Sequence, residues 1–83
     1  MLTWRELLDE TLRAGGHSMG ELAEEGAIGD ALWEIGSVWD RASVAQEFPD
    51  SEAPALDDDT GLLVEAAVDR VLERLWDDEE VPS

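Results

Sequence analysis

The residue types that perform chemistry are sparse in this chain, and their spacing argues against catalysis. His17 is the single histidine, set in a Gly-Gly-His-Ser turn, and there is no cysteine. Disulfides and thiolate metal sites are thereby excluded. Ser18 adjoins His17, but turn and cap geometry use both side chains, and adjacent residues seldom face each other as a nucleophile and base must. Carboxylates are so numerous that no pair stands out as an acid–base couple. Asp57-Asp58-Asp59 followed by Gly61 offers oxygen ligands but lacks the alternating Asp spacing and closing Glu of a calcium loop. The expectation is a protein without enzyme activity, metal or cofactor.

What the chain has in excess is negative charge. Twenty-two Asp and Glu face five Arg, a net charge of −17, and no Lys is present. Carboxylates at this density repel one another and destabilise a compact state. Direct nucleic-acid binding is excluded as an expectation, because it requires cations that displace phosphate counterions, and anionic membrane surfaces are disfavoured for the same reason. The complementary partner is a basic protein surface, found quickly through electrostatic steering. Candidate partner-binding residues are Asp30, Trp33, Glu34 and Asp40 in the middle of the chain, Asp57, Asp58 and Asp59 before the last helix, and Asp77 and Asp78 near the end. Trp33 enters because its i±4 neighbours are Gly29 and Ser37, leaving it either an exposed aromatic anchor beside Asp30 and Glu34 or a core residue covered by a second helix.

The elements that position these groups read as helices. Thr3-Trp4-Arg5-Glu6 is a capping box, Trp4, Leu7, Leu8 and Leu12 recur at helical spacing, and Gly15-Gly16 stops the helix. Ser18-Met19-Gly20-Glu21 reads as a second capping box, opening a short helix that Gly26 interrupts. Ile28, Ala31, Leu32, Ile35, Trp39 and Ala42 form a one-sided stripe, within which Gly29 and Gly36 share a face that permits close helix approach. Phe48-Pro49 ends it. Residues 49 to 59 read as a loop, with Asp59 or Thr60 as the next N-cap and Leu63, Val64, Ala67, Val68, Val71, Leu72 and Leu75 as a broad apolar face. The predicted fold is all-α, a small bundle of three to four helices at about 3–14, 18–25, 28–46 and 60–76. Residues 1–76 form a single domain and 77–83 a frayed acidic tail.

Two local patterns resemble known families. Gly15-Gly16-His17-Ser18-Met19 resembles the phosphopantetheine attachment motif of peptidyl carrier domains, which implies a modified Ser18. Those domains place a full helix and a long loop before that serine, whereas 17 residues precede it here. From Leu7 to about Leu32, a helix ending in Gly-His-Ser, then Glu21-Leu22-Ala23, a glycine turn and Ile28, resembles the helix-turn-helix of resolvase-type DNA-binding domains. The resemblance implies that architecture for the first half. The segment matching the groove-reading helix, however, carries Asp30, Glu34 and Asp40 with Arg41 as its only cation, and its glycine sits one position early.

Three explanations compete for the charge: solubility, adaptation to high salt, and imitation of nucleic acid. In size, acidity and lack of a catalytic constellation the chain resembles small acidic phage inhibitors of restriction and CRISPR complexes, and acidic antitoxin or immunity proteins. The preferred expectation is a non-enzymatic inhibitor of this type, cytoplasmic, acting in the host cytoplasm if phage-encoded. No membrane-length apolar run and no basic, signal-like start is present. The alternative is a structural or regulatory subunit of a halophilic or phage assembly that self-associates through helix faces, which leaves a homodimer open.

Overall fold

The computed structural model describes residues 1–79, and the side chains of residues 1–75. The described chain is all-α. Five helices run in order: α1 (Trp4–Ala14), α2 (Met19–Glu24), α3 (Ile28–Ser37), α4 (Ala42–Glu47) and α5 (Asp58–Glu79). The one β-type pairing among the described residues is an isolated bridge between Thr3 and Glu52. Among the described residues, no helix is long and apolar enough to cross a membrane.

The start of α1 shows why this segment is a helix. An α-helix leaves its first four N–H groups without internal partners, and here all the donors from Thr3 to Glu6 are satisfied. The Thr3 N–H donates to Glu6 Oε1 at 2.9 Å, and the Glu6 N–H donates to Thr3 Oγ1 at 3.1 Å, the reciprocal pairing of a capping box. The Trp4 and Arg5 N–H groups donate to the Ser51 and Pro49 carbonyls at 3.2 and 2.9 Å. The loop between α4 and α5 is thus the second half of the cap. Ala53 N–H adds a bond to Leu2 carbonyl at 2.8 Å, and Arg5 pairs with Asp50 at 3.2 Å.

Three of the helices end in the same way. The Gly16 and His17 N–H groups return to the Arg13 and Leu12 carbonyls. Gly26 and Ala27 do so to Ala23 and Leu22, and Asp40 and Arg41 to Ser37 and Gly36. Each pair is the double bond of a Schellman motif, whose C′ residue is left-handed. Gly16 and Gly26 have φ of +83° and +66°, and Asp40 fills the role at +58°. The predicted single helix over 28–46 is therefore two, α3 and α4, parted at Asp40. The apolar stripe continues across the break because both segments bury a face in one core, at Ala31, Leu32 and Ile35 on α3 and Ala45 on α4.

α4 folds back tightly on α3. A Cβ at Gly36 would lie 2.6 Å from the Arg41 carbonyl oxygen, 2.7 Å from Ala45 Cβ and 2.9 Å from Ala42 Cα. Only a residue without a side chain permits that approach. Gly29 is under less pressure, with Gln46 Nε2 at 3.6 Å from the equivalent point and donating to the Gly29 carbonyl.

The core runs from Trp4, Leu8 and Leu12 through Leu22 and Ile35 to the Val64, Val68 and Val71 seam of α5. Trp4 is packed edge-to-face on Trp39, ring centroids 5.6 Å apart. Three expected core residues, Ile28, Trp39 and Leu75, are only partly buried, and Leu63 is 53% exposed because it falls one position off the α5 seam. The last helix is longer at both ends than the expected 60–76. α5 continues through Asp77 and Asp78 to Glu79, and the remainder of the expected tail lies outside the described residues.

Candidate functional site

The predicted contact residues fall in three places: α3 and the turn after it, the start of α5, and the last turn of α5. Asp30, Trp33, Glu34 and Asp40 belong to α3 and its C-terminal turn. Glu34 reaches α5, where Arg74 and Arg70 approach its two carboxylate oxygens at 3.3 and 3.6 Å. Asp58 lies a further 18 Å or so back along the α5 axis from Arg70, at about 1.5 Å of rise per residue.

Within the α3 group one of the three carboxylates is committed to the fold. Glu34 is half-buried between its two arginines, so it is an internal tie rather than a free contact. Asp40 is exposed and occupies the left-handed position of the turn. Asp30 is exposed on the outer face of α3. Trp33 is 44% exposed, which makes it the available aromatic of this group.

The second group surrounds the start of α5. The N-cap is Asp57, not Asp59 or Thr60. Thr60 N–H and Thr60 Oγ1 both donate to Asp57 Oδ1 at 2.8 Å, while Asp57 N–H donates to Thr60 Oγ1 at 2.9 Å. The Thr60 N–H, and then its hydroxyl, hold the Asp57 carboxyl below its ordinary value. Asp58 and Asp59 are exposed in the first turn, where negative charge complements the helix dipole. Asp77 and Asp78 sit at the opposite end, in the last turn of α5, where backbone polarity disfavours carboxylates. Their side chains lie outside the described residues.

Beside Asp57 and Asp58 the structure opens a cleft of about 440 Å³ between α1 and α5. Leu7, Leu56, Leu62 and Val64 supply its apolar lining, and Glu10 and Glu65 stand with the two aspartates as its charged groups. Leu56 and Leu62 remain 43% and 65% exposed. Glu10, Leu56, Leu62 and Glu65 escaped the sequence reading. A signal existed, since Leu62 and Leu63 are adjacent and cannot both face one helical seam. Glu65 also begins an every-fourth-residue row of acids, Glu65, Asp69 and Glu73, all exposed.

His17 lies where a smaller cleft of about 170 Å³ meets Glu65 and Asp69. Its Nδ1 is 3.0 Å from Glu21 Oε2. That contact takes the carboxylate assigned to a second capping box, and Ser18 makes no side-chain cap bond to α2. Among the described residues, no three His, Asp or Glu side chains are placed to hold a metal ion. Comparison with protein-family models, with curated proteins and with solved structures finds no match to this chain.

Proposed function

We propose that the protein is a non-enzymatic binding module that lays acidic helix faces on a cationic protein surface. In this reading it inhibits a nucleic-acid-binding protein or complex by occupying the groove that otherwise holds phosphates. One observation carries it: every described carboxylate except Asp9 and Glu34 is exposed on a folded scaffold, while four of the five arginines are spent on internal pairs with Asp50, Asp9 and Glu34. Such a surface destabilises its own fold through self-repulsion, a cost that a basic partner reverses.

The acids are ordered as well as numerous. Glu65, Asp69 and Glu73 rise about 6 Å per step along α5. A single DNA strand carries one charge per about 3.4 Å of axis, so one α5 row imitates a phosphate strand at roughly half density. Like charges at i,i+4 each weaken the helix by about 0.2–0.5 kcal/mol. The role suits an anti-restriction, anti-CRISPR, antitoxin or immunity type of protein, acting in the cytoplasm, in the host's if phage-encoded.

The test is competitive capture. The immobilised protein, challenged with lysate from a cell carrying its gene or its phage host, should retain nucleic-acid-binding proteins that elute with salt and with added duplex DNA. Retained proteins indifferent to both would overturn the reading. The exposure of Leu56, Leu62 and Leu63 favours a second reading, a self-associating acidic subunit. Sedimentation at high ionic strength separates the two, since self-association appears there without any partner.

A further inference from the structure

The acidic surface is not uniform, and one part of it combines charge with unfilled apolar area. The α1–α5 cleft places Leu56 and Leu62 beside the buried Leu7 and Val64, and every charged residue lining it is an acid. Gly61 helps to open it: a Cβ built there meets nothing within 4 Å, so one full side chain is missing from the row between Asp57 and Glu65.

We propose that this cleft is the docking groove for a basic amphipathic helix of a partner protein. Apolar side chains of that helix seat between Leu56 and Leu62, and its flanking Lys and Arg reach Glu10, Asp58 and Glu65. The inference rests on the reading that the protein binds cationic surfaces, and it adds where and by what shape. Charge selects the occupant. A second copy brings a further net charge of −17 to a rim that is already negative, and an anionic membrane does the same. A wholly apolar ligand would strip water from four carboxylates and return no partner to any of them. A helix with anchors at i, i+3/i+4 and i+7 and cations on either side satisfies both the apolar lining and the rim.

The experiment uses two labelled synthetic peptides of about 18 residues, long enough for helix to form on the surface. Both contain only Leu and Lys in the same proportions; one has Leu at helical spacing and the other is scrambled. Binding is read by anisotropy at low salt and located by amide chemical-shift changes. The patterned peptide should bind about tenfold more tightly, the worth of one leucine-sized contact, with shifts confined to residues 7–14 and 56–65. Gly61→Leu fills the groove without changing charge, and Leu62→Ser removes an anchor. Each should abolish the patterned peptide's advantage, and the folded state of both variants is checked by their thermal melts. Equal binding of the two peptides, or an advantage that survives in Gly61→Leu, overturns the groove and leaves the acidic-surface reading standing. Failure of both peptides to bind at low salt overturns both.

Discussion

The α3–α4 corner and the α1–α5 cleft are built from similar residue types and come to opposite ends. At the corner, small residues let backbones approach until a single Cβ at Gly36 would collide, and the nearby Glu34 serves the fold by binding two arginines. At the cleft, a glycine leaves space that nothing fills. Leucines stay exposed, and apart from the Asp57 cap the acids make no ion pair with an arginine among the described residues. Acidity alone therefore says little about a carboxylate's task. What decides is whether a cation or an N–H stands within reach.

The sharpest way to break this comparison is a methyl group. Gly36→Ala forces the Arg41 carbonyl and Ala45 to move, at an expected cost of about 1–3 kcal/mol. That corresponds to a fall in Tm of about 4–8 °C per kcal/mol for a domain of this size, readable by circular dichroism. Leu62→Ser in the cleft should leave stability within about 0.5 kcal/mol, as surface substitutions do. Equal losses at the two sites would mean that the corner is not close-packed or the cleft not open.

Glycine at the one site and its absence at the other give a smaller and opposite effect. Gly61→Ala should stabilise by up to about 1 kcal/mol, because the helical position has room and loses unfolded-state entropy. Asp40→Gly should stabilise by a similar amount by relieving the left-handed backbone. Denaturant titration measures both, and a destabilised Asp40→Gly would assign the aspartate side chain a role beyond its dihedral angle.

Glu34→Gln leaves Arg70 and Arg74 facing an uncharged group. Pairs this exposed are worth about 0–1 kcal/mol, so the expected loss is small and should shrink with added salt. Salt itself should raise the Tm of the parent protein by screening its self-repulsion.

The least effect is expected from acid. Thr3 N–H, and then its hydroxyl, hold Glu6 below its ordinary 4.5, and Thr60 does the same for Asp57 below 3.8. Both groups therefore bind protons more weakly in the fold than in the unfolded chain. Their stabilisation is complete above those ordinary values and is lost as pH falls through the lowered ones. Asp57→Asn should flatten the stability profile below about pH 4 relative to the parent, as measured by urea midpoints, because relief of overall repulsion is shared by both proteins.

Much of this architecture was legible where the signal was local. The Thr3–Glu6 box, the Gly16 and Gly26 stops and the end of α4 before Pro49 all depend on neighbours within one turn of helix. The same logic misled at Ser18, where His17 takes the Glu21 carboxylate, and at Asp57, which caps α5 in place of the expected Asp59 or Thr60. The break at Asp40 left no mark in the apolar periodicity, since α3 and α4 share one core and the turn residue is not glycine. The cleft was hidden for a different reason. Exposure of Leu56 and Leu62 depends on how far α1 extends beside α5, a distance that no window of sequence contains.

The cap of α1 has a consequence for how the chain matures. Two of the helix's first N–H groups wait for Ser51 and Pro49, which leave the ribosome more than forty residues after Trp4 and Arg5. Until then the opening turn has water in place of half its cap, and closing so long a loop carries an entropic delay. α1 is thus made well before its cap can be completed, and its commitment to the native state is timed by the loop before α5.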